Sequence, residues 1–405
     1  MKKLTKNFIW MASANAVSGI INVFLYIYLA RKLGAAKFGR FSFAQALVLY
    51  MFNFVDLGLS TFGAREVAKD TSRVSKFVSD IVSLRFLVSG FLYLVFIAAA
   101  ILSRETVEMK TIMVLMALWF FSFAFATEWA FQGLEKMHMV FISLVTTSSL
   151  QCLLIFLFVK GNLYFISLPA ILFLATLPII IIYLRILHFK FKLRDIDYKA
   201  IKIYLSSSLV IWTVSLFAQV YNGFDIVMMG WLRSASEVGY FTVARRFIGG
   251  ITLFSIFLAN AALPRYSATY LEGRSSFKAN TVHFFKTVAL IGIILLSLIL
   301  FSKEIIVLAV GSEYLVANVS FKILMVGVVF VLLNLPFSTA LIAAGLEKEV
   351  LKQAIASAVL NVGLNFYLIP RMGMEGAALS FVYAEALAVI WMVWIYRKRI
   401  TLSTV

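Results

Sequence analysis

The sequence predicts an all-α polytopic membrane protein, with about twelve transmembrane helices in two parallel six-helix lobes related by a pseudo-two-fold axis along the membrane normal. Three observations carry this reading. The 405 residues are 62% hydrophobic and only 14% charged, and apolar runs of roughly 20 residues, enough to cross about 30 Å of hydrocarbon, fill nearly the whole chain. A helical hairpin recurs at a fixed offset. Lys and Arg are divided unevenly between alternate loops.

Taken in order, spans 1 and 2 cover about 8–30 and 38–63, spans 3 and 4 about 78–102 and 111–133, and spans 5 and 6 about 139–159 and 163–188. A basic linker follows, from His188-Phe189-Lys190 to Lys199-Ala200. The second half gives spans near 203–231, 240–263, 282–302, 319–344, 350–369 and 375–396. The domains are therefore an N-terminal lobe 1–188, a linker 189–202 and a C-terminal lobe 203–405. Pro264 and Pro370 fall at span ends, whereas Pro169, Pro178 and Pro336 lie within spans and are expected to kink them.

The repeat joins the halves. Asn22, Phe24, Ala35, Gly39, Phe41, Ala44, Phe54, Arg65 and Ala68 recur 200 positions later as Asn222, Phe224, Ala235, Gly239, Phe241, Ala244, Phe254, Arg265 and Ala268. Matches between apolar residues are cheap; those at an intramembrane Asn, a Gly and a terminal Arg are not. The stretch Ala35-Ala36-Lys37-Phe38-Gly39 reads as the turn of the hairpin. Further on, Gly133-Leu134-Glu135-Lys136 recurs as Gly345-Leu346-Glu347-Lys348, Gly161 as Gly373 and Arg185 as Arg397, now offset by 212. About 12 residues are thus inserted between spans 8 and 10 of the second half. Six spans per half is an even number, so the halves run parallel.

With the N-terminus inside, the inner segments hold about 22 Lys and Arg and the outer ones about 11, which places both termini in the cytoplasm. The net charge of +18 is explained by that asymmetry, and nucleic acid is not implied. The Met1-Lys2-Lys3 start is followed by an apolar stretch of only about four residues before Ala12-Ser13-Ala14, too short for a cleaved signal peptide, so it reads as the retained first span. Cys152 sits in an apolar run and, being alone, forms no intramolecular disulfide. No Gly-x-x-x-x-Gly-Lys-Ser/Thr loop is present, which argues against ATP hydrolysis. His138, His188 and His283 are far apart, so neither a metal site nor another cofactor is expected. No loop exceeds about 20 residues, so a soluble catalytic domain has no place and no catalytic residues are assigned.

Polar residues inside the spans carry the functional information, because hydrocarbon demands that they find partners or water. Asn15, Ser18 and Asn22 share one face of span 1; Ser208, Ser215, Gln219 and Asn222 share one of span 7. Span 2 has Gln45, Asn53, Asp56 and Ser60 in one stripe, and span 8 has Arg245, Thr252 and Asn260. Four stripes paired by the repeat suggest an aqueous cavity between the halves. The blander alternative is that Ser, Asn and Gln simply hydrogen-bond neighbouring helices together. Arg245 and Arg246 enter span 8 roughly 9 Å deep at 1.5 Å per residue, and Asp225 lies at similar depth. One arginine can be neutralised by Asp225, and the other suits an anionic ligand, since guanidinium binds phosphate in bidentate fashion, or else snorkels. Asp56, Arg85 and Glu128 reach comparable depth near the cytoplasmic side, either as a structural ion cluster or as a site coupling H⁺ or Na⁺. Glu385, with no basic residue at its depth in the sequence, is a second protonation candidate together with Asp225. His283, Lys286 and Arg185 lie near cytoplasmic ends and snorkel.

Two blocks, Leu33-Gly34-Ala35-Ala36-Lys37-Phe38-Gly39-Arg40-Phe41-Ser42-Phe43-Ala44 and Asp56-Leu57-Gly58-Leu59-Ser60-Thr61-Phe62-Gly63-Ala64-Arg65-Glu66, resemble the O-antigen and polysaccharide-repeat-unit flippases. These form part of the multidrug/oligosaccharidyl-lipid/polysaccharide exporter superfamily. Gly345 to Lys348, Asn361 to Pro370 and Gly373 to Ala378 resemble its C-terminal pattern. The resemblance implies a twelve-helix, two-lobed transporter in the cytoplasmic membrane. It would move a polyprenyl-diphosphate-linked oligosaccharide outward by alternating access through a cationic cavity, as a monomer among membrane lipids, beside a polysaccharide polymerase and glycosyltransferases. On that reading Arg245, with Arg31 or Arg65 at the cavity mouths, draws in the diphosphate, and Asn15, Asn22, Gln45, Asn53, Gln219, Asn222, Arg246 and Asn260 line the path. A cation-coupled multidrug exporter of the same superfamily is the alternative; a membrane polymerase or glycosyltransferase would need a large external loop or a carboxylate motif that is not seen.

Overall fold

The computed structural model describes residues 2–159, 165–191 and 198–401. Among them the chain is helical throughout, with no strand, as the unbroken apolar runs demand: in hydrocarbon only a helix satisfies its own backbone groups. The helices are α1 (Lys2–Asp56), α2 (Leu59–Lys69), α3 (Val74–Leu102), α4 (Val107–Ala117), α5 (Trp119–Phe125), α6 (Glu128–Gly133), α7 (Met137–Phe158), α8 (Leu168–Leu174) and α9 (Leu177–Ile186). They continue as α10 (Tyr198–Leu232), α11 (Ala235–Glu272), α12 (Arg274–Ser297), α13 (Ser302–Val310), α14 (Asn318–Ala343) and α15 (Glu347–Tyr396). Nine described helical stretches are long and apolar enough to cross a membrane. Two of them, Lys6–Asp56 and Glu347–Ile400, are double length and break at Gly34 and Gly373. With those divided and α10 added, the set is compatible with the twelve spans expected. Large apolar side chains such as Phe24, Phe91, Leu94 and Phe156 stand more than half exposed, the state that lipid contact favours.

By backbone proximity the chain forms two compact units, Met1–Leu33 with Arg40–Gln219, and Gly34–Gly39 with Val220–Val405. The first has its apolar core around Leu59, Phe62, Val67, Phe77, Trp129, Phe131 and Tyr183. In the second, Tyr266, Phe277, Ala340 and Tyr396 pack together. Parts of the anticipated linker (192–197) and Gly161 lie outside the described residues.

The helix breaks differ from those expected. The turn assigned to residues 35–39 is a single residue: Gly34 adopts φ 72° and ψ 167°, and helix resumes at once. Only glycine takes that φ without strain. Gly39 and its mate Gly239 are helical, and their role is close approach. A Cβ on Gly39 would lie 1.7 Å from the Ala235 carbonyl oxygen, and one on Gly239 would lie 2.1 Å from that of Ala35. Span 2 is interrupted where a continuous helix was expected. α1 ends at Asp56, Leu57 and Gly58 take φ of 49° and 77°, and α2 begins at Leu59. Span 4 likewise divides into α4, α5 and α6, with Ala126 extended at the second break.

Three of the prolines sit elsewhere than the span pattern predicts. Pro264 lies inside α11, which continues to Glu272; the lost N–H is tolerated because apolar surroundings still favour helix over any alternative with more unpaired groups. Pro169 and Pro178 occupy the first turns of α8 and α9, where a missing N–H leaves no intrahelical bond unmade. Pro336 is interior to α14 as expected, and Pro370 precedes the Gly373 break by three residues.

Candidate functional site

Two of the first unit's helix breaks, that between α1 and α2 and that between α5 and α6, meet at one side chain. Arg85, on α3, is 1% exposed. Its Nη2 donates to Asp56 Oδ1 and, at 2.6 Å, to Ser60 Oγ. Nη1 points to the Ala126 carbonyl at 3.4 Å, and the guanidinium lies 5.7 Å from the centroid of the Phe123 ring. Each acceptor exists because a helix stops. With α1 ending at Asp56, the Ser60 N–H, in the first turn of α2, is unclaimed by the helix and donates to Asp56 Oδ1 at 3.1 Å; the Ser60 hydroxyl donates to the same oxygen at 2.8 Å. Ala126, extended between α5 and α6, turns its carbonyl towards Arg85 rather than into a helix. Glu128 opens α6 and accepts from the Ser143 hydroxyl of α7. Burying an arginine beside a carboxylate requires such a set of hydrogen bonds, since the desolvation of both ions otherwise outweighs their attraction. The depth match of Asp56, Arg85 and Glu128 along the sequence thus corresponds to a real cluster, with Asp56 and Arg85 in direct contact.

What holds the α1–α2 break open is the neighbouring helix. A Cβ on Gly58 would lie 2.6 Å from the Ser208 carbonyl oxygen of α10, and Trp212 Nε1 donates to the Asn53 carbonyl at 2.8 Å. Irregular backbone at membrane depth is tolerated where protein surrounds it, and it commonly marks a binding or gating position.

The second unit holds the other ion pair anticipated. Arg245 Nε donates to Asp225 Oδ2 at 3.1 Å, and the guanidinium lies 4.5 Å from the Phe381 ring centroid. The Asp225 side chain is 5% exposed and that of Arg245 13%. Among the described residues Asp225 is bonded through Nε of Arg245, not through its Nη groups. Arg246 is half-buried.

The remaining stripe residues are mostly occupied by helix neighbours. Gln45, 3% exposed, exchanges hydrogen bonds with the Tyr26 hydroxyl at 2.7 and 2.9 Å. Asn22 donates to the Ser18 carbonyl at 2.8 Å and to Ser148 Oγ of α7 at 3.3 Å. Asn15, exposed, donates to the Met11 carbonyl at 2.9 Å. Asn53 is half-buried against the Tyr50 carbonyl, Gln219 is half-buried, and Asn260, Arg31 and Arg65 are exposed. Arg65 Nε lies 3.5 Å from Glu66. The Asn222 side chain lies outside the described residues.

One group was legible and overlooked. Gln353, Ser357, Asn361 and Asn365 recur every four residues along α15, all 6% exposed or less. Gln353 Nε2 donates to Ser357 Oγ at 2.8 Å, Ser357 donates to the Ala384 carbonyl at 3.2 Å, and Asn365 Nδ2 donates to Asn361 Oδ1 at 3.0 Å. Buried Ser380 and Glu385 follow on the same helix beyond its break. The i, i+4, i+8, i+12 spacing was the available signal.

A multi-pass helical membrane protein with buried intramembrane ion pairs, one of them built at a helix break, is the class that this architecture defines. The chain belongs to the polysaccharide biosynthesis protein family, whose model matches residues 4–270, and the MatE model matches residues 211–367. It is 23% identical to a protein of Escherichia coli K12 named for O-antigen transport, over 98% of this chain and 97% of that one. It is also 23% identical to the capsular polysaccharide biosynthesis protein CapF of Staphylococcus aureus, over 98% and 100%. Its fold is that of the lipid II flippase MurJ in an inward closed conformation, with a TM-score of 0.77 at 15% identity over 96% of this chain and 87% of that one. An outward-facing multidrug resistance MATE transporter gives a TM-score of 0.62 at 16% identity over 99% and 96%.

Proposed function

We propose that the protein is a flippase that moves a polyprenyl-diphosphate-linked oligosaccharide from the inner to the outer leaflet of the cytoplasmic membrane by alternating access, for polysaccharide or O-antigen biosynthesis. The observation that carries the reading is the family match over residues 4–270, in a chain whose full length follows relatives named for O-antigen transport and capsular polysaccharide. On this reading both termini are cytoplasmic, residues 1–188 and 203–405 are the lobes, and the chain acts as a monomer that receives substrate from glycosyltransferases and passes it to a polymerase. Arg245 offers its Nη donors to the diphosphate, while Arg31 and Arg65 stand at the entrance. Asp56 with Arg85 and Glu128, or Asp225 and Glu385, couple transport to H⁺ or Na⁺; one charge moved against 100 mV involves about 2.3 kcal/mol.

Surface glycan in cells whose own flippase gene is deleted tests this. The wild-type chain should restore it; Arg245→Ala should abolish it, and Arg245→Lys, which keeps charge but not the planar fork, should restore it in part. Full restoration by both variants would remove Arg245 from the role. The second reading, a cation-coupled multidrug exporter, has the MatE match over 211–367 in its favour. Drug resistance on overexpression, without glycan rescue, would establish it instead.

A further inference from the structure

α9 ends in a turn that ordinarily takes glycine. The His188 N–H donates to the Arg185 carbonyl at 3.1 Å and the Phe189 N–H to the Leu184 carbonyl at 2.9 Å, the paired bonds that close a helix through one left-handed residue. That residue is His188, at φ 51°. Glycine adopts such a φ freely, whereas a side chain there is uncommon and carries a cost. A histidine held in this conformation points to a use for its side chain.

Residues 189–191, which have no regular structure, form a short strap along α3. The Ser75 hydroxyl donates to the His188 carbonyl at 2.8 Å, and the Lys190 N–H donates to Ser79 Oγ at 3.0 Å. Ser75 and Ser79 are one turn apart, so both bonds lie on one face of α3. The Phe189 ring is 6.2 Å from that of Phe125 and 5.9 Å from that of Phe191, and the Phe191 ring is 5.1 Å from Phe86. The rings pack on the helices, while His188 and Lys190, which alternate with them, stand exposed. The same two hydrogen bonds bring the end of α9 to the start of α3. Arg73 and Lys76 flank Ser75, Arg185 lies one turn before His188, and all three are exposed. Among the described residues no carboxylate pairs with Lys76, Arg185 or Lys190. Asp80, on the neighbouring turn, accepts from the Tyr204 hydroxyl at 3.3 Å, and Asp70 is taken by the Ser72 N–H and hydroxyl at 3.1 and 2.6 Å. Cations gathered in this way repel one another unless countercharge comes from outside the chain.

We propose that the strap 188–191, together with Arg73, Lys76 and Arg185, binds the phosphate of an acidic phospholipid in the cytoplasmic leaflet. The proposal rests on the orientation given above. Depth favours a lipid over a soluble anion. Phe86, where the Phe191 ring packs, lies about 18 Å along α3 from Val74 at 1.5 Å per residue, and Leu87 beside it is 43% exposed, as on a lipid-facing surface. Lys190, level with Ser79, is nearer the start of α3, where headgroups lie. Rings in the interface and lysines reaching to phosphate are how a chain is held at a membrane surface. A lipid bound there would fasten the end of α9 to the start of α3, just before the basic linker.

The test is native mass spectrometry of the full-length protein in one detergent, titrated with phosphatidylglycerol or with phosphatidylcholine of the same acyl chains. Each Lys or Arg beside an anionic headgroup is worth about fivefold, so phosphatidylglycerol should bind about tenfold more tightly or better. Lys76→Gln with Lys190→Gln should cut that preference about fivefold or more, and Lys76→Arg with Lys190→Arg should keep it. Phe191→Ala changes no charge but loosens the strap, and should cut the preference about threefold. His188→Gly should weaken phosphatidylglycerol binding about threefold through the lost imidazole donor, with thermal stability equal or higher because the left-handed turn is relieved. Lys348→Gln with Arg397→Gln, which removes two exposed cations of the second unit, should leave the preference unchanged.

An equal loss in that second-unit pair would overturn the proposal, leaving only overall charge, and so would an unchanged preference in Lys76→Gln with Lys190→Gln. If the lysine pair is not recovered folded, Phe191→Ala decides: a reduced preference supports the proposal and an unchanged one overturns it. Tighter binding of a polyprenyl diphosphate than of phosphatidylglycerol, lost in the same lysine pair, would overturn the phospholipid assignment and make the patch part of the substrate's route. Labelling of Lys190→Cys, in a Cys152→Ser chain, by an impermeant maleimide in intact cells would overturn the cytoplasmic placement. The readout needs no transported substrate, so a failure of glycan rescue bears on the flippase assignment and not on this lipid site.

Discussion

Replacing Arg85 tests whether the ion cluster of the first unit holds the fold. Arg85→Met keeps most of the side-chain volume and removes the charge. The Asp56 carboxylate then stays in a site where its side chain is only 18% exposed, retaining the Ser60 N–H and hydroxyl but no cation. Breaking a buried pair costs roughly 3–5 kcal/mol; with two donors left on Asp56, the cost should be about 3 kcal/mol, near the lower end of that range. The reciprocal change, Asp56→Asn, strands a guanidinium whose side chain is 1% exposed, so it should cost more, about 4 kcal/mol. The double variant has no stranded ion. It should therefore be less destabilised than the sum of the singles by about 2 kcal/mol or more, the interaction read by a double-mutant cycle. Denaturant or thermal unfolding of the purified protein in one detergent, followed by tryptophan fluorescence, supplies the four stabilities. Singles within about 0.5 kcal/mol of wild type, or a double variant equal to their sum, would refute the structural role. If in addition Arg85→Met abolished glycan export at unaltered stability, the cluster would be a coupling site and not a brace.

Two further outcomes follow from the packing. Gly63→Ala would place its Cβ 2.5 Å from the buried Trp129 ring and should destabilise by about 1–3 kcal/mol, whereas Gly363→Ala should be neutral or stabilising by up to about 1 kcal/mol; thermal unfolding of the two variants side by side separates them. Tyr26→Phe and Gln45→Leu should each destabilise by about 1–2 kcal/mol, and the pair together by less than the sum of the two, since the bonds between them are lost in either variant. Additive losses in the same unfolding assay would show that the bonds between the two side chains contribute nothing to stability.

Much of the candidate site was readable before any coordinates. Depth along antiparallel spans placed Asp225 level with Arg245 and Arg246, because an ion in hydrocarbon leaves its partner few places to be; that Asp225 takes Arg245 was decided by the structure. The same reasoning gathered Asp56, Arg85 and Glu128. The polar stripes were less informative, since a stripe says only that one face differs from the rest. Gln45 and Asn22 turn to Tyr26 and Ser148, the interhelical bonding that spacing alone does not distinguish from a water-filled path. The stripe on α15 was missed although its four-residue period was plain.

What the sequence by itself determined is the helical, membrane-spanning class, the duplicated hairpin and the intramembrane charges. Each of these follows from local composition and from the cost of polar groups in lipid. Only the tertiary structure decided where the helices stop. The break at Leu57–Gly58 exists beside a close approach of α10, and the break at Ala126 gives Arg85 an acceptor; neither cause lies near those residues in sequence. The same is true of Gly39 and Gly239. Their identity across the repeat was visible, but the reason was not a turn: a backbone from elsewhere in the chain occupies the space that a side chain would fill.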